Sequence, residues 1–202
     1  MFRLLQGDVG SGKTVIALLA MINAAEAGAQ AVLMAPTDIL ARQHMATIEP
    51  LAAAAGVSVV LLTGRDKGKA RQKALEGLAS GATVLAVGTH ALFQDDVAFH
   101  DLALAVVDEQ HRFGVHQRLV LAAKGRAVDV LVMSATPIPR TLMLTAYGDM
   151  DVSRLTEKPP GRGAVDTRVL PLSRLGEVVA AIRRAVGADN RVYWVCPLVE
   201  ES

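Results

Sequence analysis

The sequence predicts an α/β fold in which a parallel β-sheet carries helices on both faces. Short apolar runs alternate with longer segments rich in Ala, Leu, Glu and Gln, which favour helix. The apolar runs are continuous, as expected of strands that are buried on both faces of a parallel sheet. A glycine-rich turn also separates the first predicted strand from the first predicted helix, as in doubly wound proteins that bind phosphates.

Predicted strands and helices alternate along most of the chain. The predicted strands are Arg3–Gln6, Ala31–Ala35, Ser58–Leu62, Thr83–Val87, Leu104–Asp108 and Val128–Met133. The predicted helices between them are Gly12–Ala27, Asp38–Ala55 and Lys69–Ser80. Segments of these lengths fit the crossover connections of a parallel sheet.

The composition changes near residue 156, where "TEKPPGRGAVD" interrupts the alternation. Its prolines and glycines cannot continue a helix or a central strand. Beyond it, Thr167–Leu170, Ser173–Val186 and Arg191–Cys196 are predicted to form a strand, a helix and a strand, too few elements to bury a core alone. We therefore expect one domain over residues 1–156, a linker over 157–166 and the truncated beginning of a second domain over 167–202.

The bulk composition of the 202 residues, 51% hydrophobic and 20% charged, is globular. The net charge of +1 gives no overall basic excess, so a nucleic-acid partner would have to be held by local patches. A single cysteine, Cys196, excludes an internal disulfide and a cysteine-rich metal site. The longest apolar run is about a dozen residues, shorter than the roughly 20 that span a bilayer, so we expect a soluble, cytoplasmic protein without membrane segments.

The segment "GDVGSGKT" matches the phosphate-binding loop pattern G-x-x-x-x-G-K-[ST] in full. Its glycines let backbone N–H groups surround phosphate oxygens at a helix N-terminus. In this pattern Lys13 reaches the β- and γ-phosphates and the Thr14 hydroxyl ligates Mg²⁺. The alternative is a glycine-rich helix start that binds nothing. The predicted nucleotide-binding residues are Gly7, Asp8, Val9, Gly10, Ser11, Gly12, Lys13 and Thr14.

A buried strand ends in acidic and polar residues at "VVDEQHR". A phosphate-binding loop needs a second magnesium ligand at the end of another strand, and Asp108 occupies such a place. Glu109 can orient and deprotonate the attacking water, and His111 can sense the state of the nucleotide. The alternatives are an acidic strand end exposed to solvent and, for His111, a structural histidine.

The ordered motifs "GDVGSGKT", "APTDILARQH", "VGTHALF", "DEQHRFGVHQR" and "SATPIPRT" resemble motifs I, Ia, Ib, II and III of the superfamily 2 helicases. The chain is most similar to the ATP-dependent DNA helicases that branch-migrate forks and Holliday junctions in repair and recombination. Transcription-repair coupling translocases share several of these motifs but typically have Glu at the position of Gln110. Asp38, where the family usually has Glu, and Lys158, at a usually apolar position, depart from the pattern.

The resemblance implies a RecA-like P-loop NTPase lobe, an incomplete second RecA-like lobe, ATP and Mg²⁺ as cofactors, and a monomeric motor that acts on branched double-stranded DNA. The implied catalytic residues are Lys13, Asp108, Glu109 and His111. The residues implied to couple the nucleotide to DNA are Gln110, Ser134 and Thr136, with Thr136 bonding towards the acidic strand end. The implied DNA-binding residues are Thr37, Gln43, Gly64, Arg65, Thr89 and His90.

Alternatives remain for the DNA-binding residues and for the overall function. Thr37 also fits a helix cap, "SATP" a strand-to-helix turn, and the basic run 64–73 a solvated helix face. A P-loop switch without translocation and a nucleotide-free DNA clamp are the competing functions, although the N-K-x-D and L-S-G-G-Q motifs of two switch classes are absent from the sequence.

The resemblance also implies that parts of the motor lie outside the chain. The family's arginine finger would follow Ser202 and its wedge domain would precede Met1, while Arg140 is interpreted as structural or close to DNA. We therefore expect the isolated chain to bind Mg·ATP weakly and to hydrolyse it slowly.

Overall fold

The computed structural model describes residues 1–108, 124–125, 127–136, 150–157 and 165–196. The chain divides into two compact units, Met1–Pro160 and Gly161–Ser202. This division concerns compactness alone, so the predicted domain identities and the linker stay predictions. Within the described ranges, no helix is long and apolar enough to cross a membrane.

The first unit is built on a seven-stranded sheet in which neighbouring strands are parallel. The strands are β1 (Phe2–Gly7), β2 (Gln30–Met34), β3 (Val59–Leu62), β4 (Leu85–Gly88), β5 (Leu102–Asp108), β6 (Asp129–Ser134) and β7 (Asp151–Leu155). Their order across the sheet is β3-β4-β2-β5-β6-β1-β7. The predicted parallel sheet is confirmed.

Among the described residues, three α-helices connect strands of this sheet: α1 (Lys13–Glu26), α2 (Asp38–Ala54) and α3 (Gly68–Ser80). A short 3₁₀ helix, His90–Phe93, follows β4. Helix α3 ends at Gly81, whose φ of 78° is the left-handed conformation that glycine adopts without a steric penalty.

The core lies on both faces of the sheet, because successive strand residues point to opposite sides. Leu4 and Val32 belong to the cluster that also contains Leu78 of α3. Leu5 and Leu33 belong to the opposite cluster, which contains residues of α1 and α2 such as Met21 and Ile48. Helices therefore cover both faces, as predicted, and the polar ends of the strands are left at the two edges.

Strand β7 was not predicted. Its polar residues Asp151, Ser153 and Arg154 break the apolar run that identified the other strands. They fit an edge strand, which pairs on one side with β1. Arg3 of β1 donates to the Ser153 hydroxyl at 3.0 Å and to the Asp151 carboxylate at 3.1 Å, so polar contacts fix this pairing.

The second unit contains a 3₁₀ helix, Leu172–Arg174, and helix α4 (Leu175–Gly187). The predicted helix is confirmed, with ends shifted by one or two residues. The strands predicted at Thr167–Leu170 and Arg191–Cys196 are wrong, because both of these described segments are irregular. An apolar run becomes a strand when a partner satisfies its backbone hydrogen bonds, and the described part of this unit offers none.

Candidate functional site

The carboxyl ends of the parallel strands share one edge of the sheet, and the predicted site residues follow these ends. Strands β5, β6 and β1 are neighbours in the sheet. Asp108 ends β5, the "SAT" residues begin at the last residue of β6, and the phosphate loop begins at the last residue of β1. We call this part of the site the nucleotide half. Strands β3, β4 and β2 are also consecutive and precede the loops with the predicted DNA-binding residues; we call this the outer half. The halves meet at the neighbouring strands β2 and β5.

The phosphate loop turns sharply between β1 and α1. Gly10 and Gly12 adopt φ values of 80° and 94°, a region that disfavours other residues. The N–H of Ser11 donates to the Asp8 carbonyl at 3.1 Å and tightens the turn. Helix α1 begins at Lys13, so its first N–H groups face the loop, in the arrangement that binds anions at helix N-termini.

Lys13 is folded over the loop in which it lies. Its Nζ donates to the carbonyl oxygens of Gly7 at 2.7 Å and Asp8 at 2.9 Å. An ammonium group has three N–H donors, so these contacts leave capacity for an anion. Val9 projects from the loop, with 65% of the residue exposed, and Thr14 lies partly buried in the first turn of α1.

Gly7 is packed too tightly to carry a side chain. A Cβ on Gly7 would lie 2.5 Å from the Ser11 hydroxyl oxygen and 2.9 Å from Cβ of Leu155 in β7. The Ser11 Oγ is itself buried and has no hydrogen-bond partner in the part of the chain that the structure describes. A buried hydroxyl without a partner is costly, and this one lies in the loop that the sequence assigns to phosphate.

Asp108 lies at the end of β5 and its carboxylate contacts a residue that the sequence had not singled out. Oδ2 of Asp108 is 2.6 Å from Nε2 of His44 in α2. The two side chains are 15% and 12% exposed. Nothing in the local sequence marks this contact, because the residues are 64 positions apart.

The residues after β6 form a compact turn. The Ser134 and Thr136 hydroxyl oxygens are 3.1 Å apart, and the Thr136 N–H donates to the Ser134 Oγ at 3.2 Å. Gln6 of β1, also unforeseen from the sequence, donates its amide N–H to the Thr136 carbonyl at 3.0 Å. The turn interpretation of "SATP" is supported, while the predicted bond from Thr136 towards the acidic strand end and the coupling role stay predictions.

In the outer half, the predicted DNA-binding residues differ in exposure. Thr37 is exposed, and its hydroxyl caps α2 by accepting from the Leu40 N–H at 3.3 Å. Gln43 and His90 are exposed as well. Thr89, in contrast, is 5% exposed and its hydroxyl oxygen caps the 3₁₀ helix. Its position fits a residue that shapes the loop, and a DNA contact by Thr89 stays a prediction.

The loop after β3 holds Gly64 and Arg65, both exposed. Asp66 fixes this loop by accepting from the Thr63 N–H at 2.6 Å and from the Thr63 hydroxyl at 2.9 Å. The guanidinium of Arg65 is 3.5 Å from the carboxylate of Asp38 at the start of α2. The loops after β2 and β3 are thereby tied together by side chains.

Asp38 joins two basic residues of the outer half. It accepts from Nε of Arg42 at 3.0 Å. This hydrogen bond is the largest cause of a lowered pKa of Asp38, to which the charges of Arg42 and Arg65 add, and it raises the pKa of Arg42. The carboxylate therefore stays ionised and holds the two guanidinium groups on one surface.

The basic run at 64–73 includes a second paired residue besides Arg65. Arg71 donates to Asp96 at 2.8 Å and its side chain is 18% exposed. Lys67, Lys69 and Lys73 lie on the exposed surface at and after the start of α3. This distribution supports the interpretation as a solvated helix face and leaves contact with DNA a prediction.

Three predicted residues, Glu109, Gln110 and His111, lie outside the described residues, as does Arg140. Their assigned roles stay predictions.

The oxygen donors at the nucleotide half fit magnesium. Thr14 offers a hydroxyl at the start of α1, and Asp108 offers the carboxylate oxygen that does not bond His44. Over the described ranges, no three or more His, Cys, Asp or Glu residues cluster as a metal site. Magnesium in nucleotide sites is held by one or two protein oxygens together with substrate phosphates and waters, so this sparse donor set suits it.

Comparisons with known proteins agree with this geometry. The DEAD/DEAH box helicase family matches residues 3–145. Over its whole length the chain is 52% identical to the ATP-dependent DNA helicase RecG of Pasteurella multocida and 50% identical to RecG of Bacillus subtilis. It spans 30% of the length of each of these relatives.

Two solved helicase structures superpose on this chain. A structure of RecG bound to a three-way DNA junction is 46% identical and superposes with a TM-score of 0.78 over 92% of this chain and 25% of that one. The Hef helicase domain of Pyrococcus furiosus, 22% identical, shares the fold with a TM-score of 0.57 over 77% of this chain and 35% of that one.

Proposed function

This chain belongs to the DEAD/DEAH box helicase family, and on that premise we propose that it is the ATP-hydrolysing motor lobe of a DNA helicase that remodels branched DNA. One observation carries the proposal. A single sheet edge holds the phosphate loop and Asp108 on one half and exposed polar loops on the other, and the halves meet at β2 and β5. Such an edge suits a motor in which the state of a nucleotide controls the grip on DNA.

The nucleotide half carries the proposed chemistry. Thr14 and Asp108 would hold Mg²⁺, which neutralises charge on the transferred phosphoryl group when it is bound. Lys13 would exchange the carbonyls of Gly7 and Asp8 for phosphate oxygens, because a charge-assisted hydrogen bond to an anion is stronger than one to a carbonyl. The backbone N–H groups at the start of α1 would surround the phosphates.

The remaining catalytic and coupling roles follow from the resemblance. Glu109 would orient the attacking water. Gln110 and His111 would sense the state of the nucleotide, and Ser134 and Thr136 would relay it to the outer half. The turn that Ser134, Thr136 and Gln6 form connects the ends of β6 and β1 through hydrogen bonds, so this relay would begin inside the nucleotide half.

The outer half carries the proposed DNA contacts. Thr37, Gln43, Gly64, Arg65 and His90 are exposed loop or helix residues whose polar groups suit the phosphate backbone. Such contacts position a duplex without reading its sequence, as a motor that passes along DNA requires. The RecG structure on a three-way junction supports branched DNA as the substrate. Branch migration of forks and Holliday junctions is the use that the sequence resemblance implies.

Further parts of the proposal depend on the sequence resemblance alone. Residues 167–202 would begin a second RecA-like lobe, and the motor would act as a monomer in the cytoplasm. Repair and recombination would be the processes that it serves.

The test is ATP hydrolysis by the full-length protein without DNA, with linear duplex and with a three-way or four-way junction. We expect DNA to stimulate hydrolysis and the junction to stimulate it most. A Lys13→Ala variant controls for a contaminating ATPase. Equal rates with and without DNA would favour a P-loop switch. Equal stimulation by linear duplex and junction would retain the motor but overturn the preference for branched DNA, and would favour a transcription-repair coupling type of translocase.

A further inference from the structure

The contact between His44 and Asp108 bridges the two halves of the site. His44 lies on α2, the helix that begins in the outer half at the cap Thr37, and Asp108 ends β5 in the nucleotide half. The Nε2···Oδ2 distance is 2.6 Å, and both side chains are largely buried. The bond is therefore short and partly shielded from water, which strengthens it.

The chemistry of the two groups assigns the direction of this hydrogen bond. A carboxylate oxygen accepts hydrogen bonds, so Nε2 of His44 must carry the hydrogen that it donates to Asp108. The terminal torsion of an Asp side chain is otherwise broad. By holding Oδ2, His44 sets the rotation of the carboxylate and leaves Oδ1 as the oxygen available to a cation.

Helix α2 connects this contact to the outer half. His44 follows Thr37 by about two helical turns, and the exposed Gln43 is its neighbour in the chain. Buried residues such as Ala41 and Ile48 pack the same helix against the sheet. A shift of α2 that accompanies contact at Thr37 or Gln43 would therefore move the His44 imidazole and with it the Asp108 carboxylate.

We propose that His44 is a positioning residue for Asp108, which aligns the magnesium-binding oxygen and makes this alignment depend on the placement of α2. This inference rests on the proposed function in that it takes Asp108 as a ligand of Mg²⁺. It assigns a role to a residue that lies outside the phosphate loop and outside the acidic strand end.

Three substitutions separate this role from a simple packing role. His44→Gln keeps an amide N–H donor at about the reach of Nε2. His44→Asn keeps a polar side chain that is too short to reach Asp108, and His44→Leu removes the donor. His100→Gln is the matched control, because His100 is exposed and precedes β5 at the opposite edge of the sheet.

The main readout is binding of Mn²⁺, measured by electron paramagnetic resonance on the full-length protein with a non-hydrolysable ATP analogue. Loss of a hydrogen bond that orients a metal ligand typically weakens metal binding about 10- to 100-fold. We expect such a loss in His44→Asn and His44→Leu, and affinity within about threefold of the original in His44→Gln and His100→Gln. Affinity for the analogue without metal should be unchanged in all four.

Two results would overturn the proposal. One is unchanged Mn²⁺ affinity in His44→Asn, and the other is an equal loss in His44→Gln and His44→Asn. If His44→Leu does not fold, the Asn and Gln pair still decides the outcome. The ratio of hydrolysis rates with and without DNA is measured in parallel, and it should fall in His44→Asn. A rate of ATP hydrolysis that is the same with and without DNA would contradict the proposed function. The Mn²⁺ comparison would still test the role of His44.

Discussion

Polar side chains are hydrogen-bonded differently at the two ends of the neighbouring strands β2 and β5. At the amino end, Gln30 is 3% exposed and all of its amide contacts go to backbone groups. Its Nε2 donates to the carbonyls of Leu78 and Thr83 at 2.9 and 2.7 Å, and its Oε1 accepts from the N–H groups of His100 and Asp101 at 2.7 and 3.1 Å. At this end, the buried amide of Gln30 therefore has a structural role, with its hydrogen-bonding capacity filled by backbone groups.

At the carboxyl end of the same sheet, polar groups keep bonding capacity. One oxygen of Asp108 bonds His44, Lys13 bonds carbonyls that it can release, and the buried Ser11 hydroxyl has no partner among the described residues. Stability and the proposed function therefore depend on different ends of the strands. The polar group that holds the fold is saturated by the backbone, whereas the groups proposed to take part in chemistry are only partly satisfied.

The largest effect that would test this difference is expected for Lys13→Ala. Removing a cationic donor to the transition state typically lowers turnover by a factor of about 10² to 10³. The free energy of unfolding should change by less than about 1 kcal/mol, because the two neutral loop carbonyls that Lys13 leaves can bond water. The measurements are unstimulated ATP hydrolysis and urea denaturation of the full-length protein.

Lys73→Ala is the matched control for Lys13→Ala, since Lys73 is an exposed lysine on α3. Unstimulated turnover should be unchanged in this control. If Lys13→Ala unfolded the protein while retaining turnover in the folded fraction, the division between structural and functional groups would be wrong.

The next largest effect is expected for Gln30→Leu, with the opposite pattern. This change removes four hydrogen bonds. The His100 N–H and the Leu78 carbonyl still bond each other at 3.2 Å, whereas the Thr83 carbonyl and the Asp101 N–H lose the Gln30 amide, and we expect destabilisation by about 3 kcal/mol. The control is Gln72→Leu, because Gln72 is an exposed glutamine on α3 that bonds Glu76 at 2.9 Å. It should change stability by less than about 0.5 kcal/mol. If Gln30→Leu and the control had the same free energy of unfolding, the hydrogen bonds of Gln30 would not be what stabilises the amino end.

The smallest effect is expected at Thr37, where one hydroxyl combines a structural and a proposed functional role. Thr37→Ala should lower stability by about 1 kcal/mol through loss of the helix cap, and should also weaken DNA binding. Thr37→Asp keeps a good cap but adds a negative charge, so it should retain stability and still weaken DNA binding. Unchanged DNA binding by Thr37→Asp, measured by fluorescence anisotropy with a labelled junction, would restrict Thr37 to its cap.

The buried part of the fold was predictable because burial leaves a local signature. Each of the six strands predicted before the composition change is found, with ends that differ by at most two residues. Strand β7 lacked that signature, because its edge position allows polar residues such as Asp151 and Arg154. The two strands predicted in the second unit failed for the converse reason. Their runs are apolar, but a strand also depends on a partner.

The candidate site was predictable where its residues are contiguous. The loop from Gly7 to Thr14 and the strand end at Asp108 are marked by local spacing, and their chemical roles stay predictions. His44 and Gln6 could not be found in this way, since their partners are 64 and 130 positions away in the chain. The contact of Asp38 with a second basic side chain could not be found from local spacing either, because Arg65 belongs to another loop.

The position of β1 has a consequence for the way the protein is made. β1 precedes the other strands of its sheet in the sequence, yet its partners are β6 and β7, with Phe2 opposite Val130 and Arg3 opposite Asp151. Translation of the intervening residues takes on the order of ten seconds. During that time the phosphate loop has no sheet to anchor it, and Gly7 has no Leu155 to pack against. The phosphate loop is thus synthesised before most of its sheet and fixed only when β6 and β7 have paired with β1, so we expect the affinity of a nascent lobe for nucleotide to appear only at that stage.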